Sequence, residues 1–281
     1  MLQVLRGCAA VWVGLIGVLV GQWPSAAEAR DMFPIVSYDA FEFGFKGAAR
    51  LDAGLVLFQI VNTGKESHQI QIVRLEEGRT AADFAAAIKA DPTHIPSWAR
   101  LMGGPNGVTS GSRAATLQAL TPGEYVLVCW LPDPSGAPHL TLGMTKSVTI
   151  TGSTKPAPEI APDLTITLTD FAYELSKPIT AGKHTIRVVN QGKQVHEALV
   201  VQLPPGGSAK AFGEALTPGK PSSGSPPGRP IGGVVGLAPG EHALFEMTFT
   251  PGRYGLLCLF PDHASGRPHF DKGMVRELAV K

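Results

Sequence analysis

Charged side chains are scarce in this chain, and neither sign prevails. Only 17% of the 281 residues are charged, and 24 Lys and Arg against 23 Asp and Glu give a formal net charge of +1. Proteins that bind nucleic acid need a basic surface to meet the phosphate backbone. The composition therefore gives no reason to expect nucleic acid as a partner.

Long apolar runs are also missing. The N-terminal run from Gly7 to about Gly21 is shorter than the roughly 20 residues of a membrane-spanning helix. Arg6 precedes it and the small residues of Ala27–Ala29 follow, which is the pattern of a cleaved secretory signal. We expect residues 1–29 to be a signal peptide, with an uncleaved anchor as the alternative. The mature protein is then exported, periplasmic or secreted, and has no membrane span.

Cysteine is rare, with three residues in the chain. Cys8 lies within the predicted signal, so the mature protein keeps Cys129 and Cys258. An exported protein with two cysteines ordinarily suggests one disulfide. Each cysteine, however, ends a predicted core strand in a different half of the chain, so the sulfur atoms meet only if two cores dock. We expect two free cysteines, and the disulfide is the alternative.

Glycine and proline are abundant, with 33 and 24 residues, which indicates a turn-rich chain with little helix. Short apolar segments such as "GEYVLVCWL" alternate with turn residues and predict an all-β fold of the sandwich type. Thr80 before "AADFAAAIKA" and Ser208 before "AKAFGEAL" predict two short capped helices inserted between strands. The segment "GKPSSGSPPGRPIGG" at 219–233 predicts irregular structure.

The two halves of the chain repeat one another. "YVLVCWLPDPSGAPHLTLGM" at 125–144 matches "YGLLCLFPDHASGRPHFDKGM" at 254–274, and "VNTGKESHQIQIV" at 61–73 matches "VNQGKQVHEALVV" at 189–201. Counterparts lie 128 to 130 residues apart, and one inserted residue in the second Cys–His loop explains the largest offset. A period of this length indicates a duplicated domain.

The repeat and the composition together set the domain boundaries. A chain of 281 residues is long enough for two ordinary domains. We expect the first domain at 30–151, a proline-rich linker at 152–162 and the second domain at 163–281.

Each copy resembles a cupredoxin, the blue or type 1 copper domain. The resemblance rests on an Asn-x-Gly turn before a His strand, then "PGxYxxxC", then a loop that ends in His, four residues and Met. It implies a Greek-key β-sandwich and one type 1 copper per domain. Copper alternates between Cu(I), which favours sulfur ligands, and Cu(II), which favours imidazole, so this mixed set suits both states. The implied ligands are His68, Cys129, His139 and Met144 in the first domain and His196, Cys258, His269 and Met274 in the second.

His263 also follows Cys258 at a spacing that occurs in the family. Its counterpart in the first copy is Pro134, so the repeat favours His269 as the ligand and leaves His263 as an alternative.

Copper enzymes of this superfamily place a histidine beside the ligand cysteine to reach a catalytic copper. The neighbours here are Val128 and Trp130, or Leu257 and Leu259, and no His-x-His pair occurs in the chain. We therefore expect an electron carrier and not an enzyme.

The predicted function is one-electron transfer between redox partner proteins by an exported two-domain type 1 copper protein. Leu140 and Leu142, or Phe270, flank the C-terminal His ligand and are candidates for an apolar docking patch. The alternatives are a copper storage or delivery protein and a copper-free binding module. The oligomeric state is not predicted by the sequence.

Overall fold

A computed structural model describes four stretches of the protein, residues 33–91, 94–154, 160–217 and 226–281. We call residues 33–154 the first half and 160–281 the second half. The predicted signal peptide at 1–29 and the centre of the predicted linker, 155–159, lie outside the described residues. Among the described residues, no helix combines the length and apolarity needed to cross a membrane.

The described residues of the first half form nine strands and one α-helix. The strands are β1 (Ile35–Phe41), β2 (Gly44–Lys46), β3 (Arg50–Asp52), β4 (Gly54–Asn62), β5 (Gln71–Leu75), β6 (Ala99–Leu101), β7 (Arg113–Leu120), β8 (Gly123–Val128) and β9 (Thr145–Thr151). Helix α1 (Ala81–Ala90) lies between β5 and β6. A short 3₁₀ turn at His139–Leu142 precedes β9.

The second half repeats this plan, with eight strands and one α-helix in the part that the structure describes. The strands are β10 (Leu164–Thr169), β11 (Ala172–Leu175), β12 (Gly182–Asn190), β13 (His196–Leu203), β14 (Arg229–Leu237), β15 (His242–Phe249), β16 (Gly252–Leu257) and β17 (Val275–Val280). Helix α2 (Ala209–Ala215) follows β13, and a 3₁₀ turn at His269–Lys272 precedes β17.

Each half is a β-sandwich, which confirms the predicted all-β class. In the first half, β7-β4-β1-β2 packs on β3-β9-β8-β5-β6, and in the second, β15-β12-β10-β11 packs on β14-β13-β16-β17. Strands β8 and β16, which lead to the two cysteines, each have a neighbour on both sides. The residues that follow them are therefore held at fixed positions by two ladders of hydrogen bonds.

Alternation along β8 gives it two buried faces. Tyr125 and Leu127 point into the sandwich core with Cys129, whereas Val126 and Val128 point outward against α1. Phe84 is the fully buried residue that α1 contributes to this outer layer. Burial of such a side chain contributes roughly 1.5–3 kcal/mol, so the helix covers a strand that would otherwise expose apolar surface.

The two predicted helix starts are confirmed. The Thr80 side chain accepts the backbone N–H of Asp83 at 3.1 Å, and the Asp83 carboxylate accepts the backbone N–H of Thr80 at 2.8 Å. This reciprocal capping box satisfies two N–H groups that the helix leaves free. Ser208 caps α2 with a single side-chain bond, by accepting the backbone N–H of Ala211 at 3.1 Å.

The prediction of irregular structure at 219–233 is wrong for its last residues, because β14 begins at Arg229; residues 218–225 lie outside the described part. Gly232 and Gly233 have φ of +120° and +107°. A Cβ at Gly233 would collide with the backbone carbonyl of Ala198. The glycines therefore allow β14 to lie close against β13, and here they permit a strand instead of ending one.

The two halves join through equivalent parts of the repeat. β7 pairs with β15 in a single eight-stranded sheet, with Thr116 opposite Phe245. A second contact places Pro105 opposite Val234. Both pairs consist of positions 129 residues apart, and Met102 opposite Leu237 is mirrored by Val108 opposite Ile231. The halves are thus related by a pseudo-twofold axis, as in an isologous interface.

Candidate metal centres

Two buried His–Cys–His groups form at equivalent places in the two halves. In the first, His68, Cys129 and His139 bring their ligand atoms within 4.8 Å of one another. The Nδ1 atoms of His68 and His139 are 3.2 Å apart, and Cys129 Sγ is 3.4 Å from His139 Nδ1. All three residues are fully buried. We call this group site 1.

The second group, which we call site 2, has nearly the same dimensions. Its members His196, Cys258 and His269 also bring their ligand atoms within 4.8 Å of one another and are fully buried. His196 and His269 approach to 3.0 Å through their Nδ1 atoms, and Cys258 Sγ lies 3.4 Å from His269 Nδ1. The structure therefore brings together the six predicted His and Cys residues in two sets of three.

An asparagine fixes the turn before the first histidine of each site. The Asn62 amide donates to the carbonyl oxygens of Val108 at 2.9 Å and Glu66 at 2.7 Å, and its side-chain oxygen accepts the Gly64 N–H. Asn190 makes the corresponding bonds in the second half, to Leu237 and Gln194. Because these buried amides make all of these hydrogen bonds, they fix the turn, and the turn fixes the position of the histidine.

Carboxylates on the outer nitrogens set the tautomers at site 1. Glu42 Oε1 lies 3.2 Å from His68 Nε2, and Glu66 Oε2 lies 2.9 Å from His139 Nε2. An ionised carboxylate only accepts hydrogen bonds, so each Nε2 carries the proton and each neutral ring leaves Nδ1 free to accept. Burial acts to raise the pKa of Glu42, but the N–H groups of Glu66 and Lys65 lower it to about 2. Glu42 therefore stays ionised at neutral pH.

Site 2 has one carboxylate and one amide at the same places. Asp170 Oδ1 lies 2.8 Å from His196 Nε2, and Gln194 Oε1 lies 3.4 Å from His269 Nε2. Lys272 bonds Asp262 and lies over the Phe171 ring, 4.3 Å from its centroid. The outer nitrogens of the histidines therefore face one carboxylate at site 2 and two at site 1.

Burial keeps the imidazoles neutral. It lowers the pKa of His68, His139 and His196, and it lowers that of His269 to about 3. Neutral imidazole is the form that ligates a metal. The rings are therefore ready to bind a cation at any pH near neutrality.

The thiols are deeply buried as well. Burial raises the pKa of Cys129 to about 12 and that of Cys258 well above its usual value. The N–H groups of Gln69 and Leu131 point at Cys129 Sγ and partly oppose this rise. Those of Glu197 and Phe260 point at Cys258 Sγ. A metal that binds either sulfur must displace its proton, after which two N–H donors stabilise the thiolate.

The donor set fits a copper ion. Two Nδ1 lone pairs that face each other across about 3 Å repel unless a cation lies between them, and here a sulfur completes the triangle. Two imidazoles and one thiolate suit both Cu(I) and Cu(II). His68, Cys129 and His139 would hold one ion, and His196, Cys258 and His269 a second.

The two predicted axial methionines lie beside these groups. Met144 is fully buried in the same apolar core as Cys129, and its N–H donates to the carbonyl of His139 at 3.0 Å. Met274 is placed equivalently, with its N–H on the carbonyl of His269 and its own carbonyl accepting the Cys258 N–H. Their role as ligands stays a prediction.

Three further expectations can be compared with the structure. Cys129 and Cys258 are both free thiols, which confirms that they form no disulfide. His263 is exposed and lies outside site 2, with its ring 5.4 Å from that of His94. The predicted apolar patch is mostly wrong: Leu140 and Phe270 are buried because they pack under α1 and α2, and Leu142 alone of the three is exposed.

Four residues that orient the histidines were not predicted from the sequence, namely Glu42, Glu66, Asp170 and Gln194. The repeat contains the signal for them, since Glu42 and Asp170 are 128 residues apart, as are Glu66 and Gln194. Phe43 and Phe171, which follow the first pair, also correspond and contact His139 and His269 at 4.9 and 5.1 Å between ring centroids.

No family model and no curated protein matches the chain. Solved structures do. A dithionite-reduced auracyanin from Roseiflexus castenholzii is 21% identical, over 42% of this chain and 97% of its own, with a TM-score of 0.30. A Cu-containing nitrite reductase from Thermus scotoductus SA-01 is 15% identical, over 88% of this chain and 61% of its own, with a TM-score of 0.24. A multicopper oxidase is 12% identical, over 88% of both chains, with a TM-score of 0.26.

At these identities the likeness concerns the fold alone. The fold is cupredoxin-like and contains two His–Cys–His groups. The expectation that the chain is not an enzyme is wrong, because structures with this fold include a nitrite reductase and multicopper oxidases, which are enzymes. A missing histidine beside Cys129 and Cys258 does not exclude an enzyme.

Proposed function

We propose that this protein, which carries the cupredoxin-like fold with a His–Cys–His group in each half, binds one type 1 copper per half and uses the pair for one-electron transfer. The observation that carries the proposal is the convergence of two Nδ1 atoms and one Sγ in each half, within 4.8 Å and fully buried. Bound copper takes up and releases one electron, since sulfur ligands suit Cu(I) and imidazoles suit Cu(II).

The chain's own residues keep both ligand sets in place. Glu42, Glu66 and Asp170 hold the Nε2 protons, so that Nδ1 faces inward. Such outer contacts of ligating histidines fix ring orientation and raise ligand basicity. Burial excludes water from the sites, so little solvent needs to rearrange when the charge of a site changes.

We also propose that the protein is exported and that it exchanges electrons with a redox partner protein. The pattern of residues 1–29 supports export to the periplasm or the medium, and the site chemistry supports a protein redox partner. The fold is compatible with an electron carrier and with an electron-transfer component of an enzyme.

The test is an optical and EPR spectrum of the mature protein loaded with Cu(II), with copper counted per chain. We expect an intense visible thiolate-to-copper band and about two coppers per chain, the number of His–Cys–His groups. Cys129→Ser and Cys258→Ser should each remove one copper and its share of the band. A colourless protein without stoichiometric copper would contradict the proposal.

A second measurement separates electron transfer from storage. Ascorbate should bleach the visible band and ferricyanide should restore it without release of copper. Copper lost at each reduction would instead identify a storage or delivery protein.

A further inference from the structure

The boundary between the two halves contains a buried carboxylate that lies next to a ligand of site 2. Glu197 directly follows His196, and it is 2% exposed. Its Oε1 accepts the backbone N–H of Leu259, the residue after Cys258, at 2.8 Å. Its Oε2 accepts the Asn106 amide, which belongs to the first half, at 2.9 Å. One side chain therefore touches both a neighbour of the site 2 thiol and the opposite half.

Asn106 continues this chain of bonds to site 1. Its side-chain oxygen accepts the Gly107 N–H at 2.7 Å, and its amide also donates to the Val234 carbonyl at 3.1 Å. Val108, two residues on, pairs with the His68 backbone in both directions, at 3.0 and 3.1 Å. Asn106, Val108 and His68 are all fully buried.

We propose that the two sites exchange an electron within one chain, and that the buried hydrogen bond between Glu197 and Asn106 connects them. This inference rests on the proposed function, because both sites must hold copper. One electron leaves the reduced site and arrives at the oxidised site of the other half. The Cu(I) that gives it becomes Cu(II), the Cu(II) that receives it becomes Cu(I), and no proton moves.

The bonds favour this route over the aromatic contact between the halves. Trp130, which follows Cys129, meets Phe260 edge to face with ring centroids 6.1 Å apart. Electronic coupling weakens more across a van der Waals gap than along covalent and hydrogen bonds. From His68 to His196 the connection runs through bonds alone, by way of Val108, Gly107, Asn106 and Glu197. Asn106 and Glu197 are positioning residues, since neither is a ligand.

The electron exchange can be measured by pulse radiolysis of the fully loaded, oxidised chain. A substoichiometric pulse reduces a fraction of the sites, and the electron then redistributes between them. Cys129→Ser and Cys258→Ser supply the separate optical and EPR signatures of the two sites and serve as variants without exchange. In the native chain we expect a redistribution phase whose rate does not depend on protein concentration.

Three variants assign the route. Asn106→Leu should slow the phase several-fold with copper content and spectra unchanged, and the isosteric Glu197→Gln should slow it to a similar extent while both sites hold copper. Gln71→Ala is the matched control, because the Gln71 amide also crosses the boundary, to the Gly236 carbonyl at 2.9 Å, without lying on the route. It should leave the rate unchanged, whereas equal slowing in this control would mean that loosening of the boundary, and not the route, sets the rate.

A measurement without copper keeps the inference testable if a variant loads poorly. In the copper-free chain, the effects of Asn106→Ala and Glu197→Gln on the free energy of unfolding should be non-additive, as expected for bonded partners. Additive effects would overturn the inference. So would slowing by Trp130→Leu alone, or two loaded and reducible sites without a concentration-independent phase. If the sites do not load at all, the proposed function fails instead.

Discussion

Replacement of Glu197 by glutamine in the copper-free protein should remove a pH dependence of stability. Burial raises the pKa of Glu197 from 4.5 to about 7, although the N–H of Leu259 and the amide of Asn106 act to lower it. The folded state therefore binds the Glu197 proton more tightly than the unfolded state. Below pH 4.5 both states are protonated and the carboxyl costs nothing. As the pH rises from 4.5 to about 7, the free energy of unfolding falls, and above pH 7 the full destabilisation by the ionised carboxylate is present.

The size of the effect follows from the shift. A difference of one pKa unit corresponds to about 1.4 kcal/mol, so the rise from 4.5 to about 7 corresponds to about 3 kcal/mol. The groups that face Glu197 do not titrate in this range, because burial raises the pKa of Cys258 and Tyr173 well above their usual values. Glutamine is isosteric with the protonated acid and has no charge to bury.

The assay is urea unfolding of the native chain and Glu197→Gln at pH 4.5 and pH 8. The glutamine variant should gain about 3 kcal/mol on the native chain between these values, whatever constant offset the altered bond to Asn106 adds. Other titrating groups cancel in the difference between the two proteins. A difference in stability that is the same at both pH values would refute the reasoning, because it would mean that Glu197 is solvated and has an ordinary pKa.

The other predictions concern copper affinity and the stability of the fold. Glu42→Gln should weaken copper binding at site 1 about 10–100-fold, and Asp170→Asn should do the same at site 2; competition with a chelator measures each. Gly104→Ala should destabilise the fold by at least about 2 kcal/mol, because φ is +129° and a Cβ meets the Ile70 carbonyl; Gly111→Ala, with φ of +72° and open space, should cost less in urea unfolding. Phe84→Ala should cost about 3–5 kcal/mol by the same assay, and an exposed Phe84 would leave stability unchanged.

The fold and the His and Cys residues of both sites could be predicted from the sequence, because the repeat contains each important position twice. A histidine such as His68 carries little information alone, but His196 at the same place in the second copy makes it a ligand candidate. The strand "YVLVC" shows apolar residues on both faces, which predicts a central strand with Cys129 at its buried end.

The hydrogen bonds to the outer nitrogens of the histidines and the contacts between the halves could not be predicted, for physical reasons. Glu42 lies 26 residues before His68, and an isolated carboxylate has no periodicity that relates it to a distant ring. Glu197 and Asn106 meet only because the halves pack together, so neither repeat copy alone contains the signal. Glycines such as Gly233 predicted irregular structure, whereas in the folded protein they allow β14 to lie close to β13.

The pseudo-twofold relation between the halves also has a consequence for how the two copies can differ. Equivalent segments that meet about an axis resemble the interface of a symmetric homodimer, here within one polypeptide. In a homodimer both subunits share every residue. In a single chain each copy can differ from the other: Glu197 stands where the first half has Gln69, and Asn106 where the second half has Val235. The bond between Glu197 and Asn106 therefore exists on one side of the axis only, an asymmetry that no homodimer can acquire.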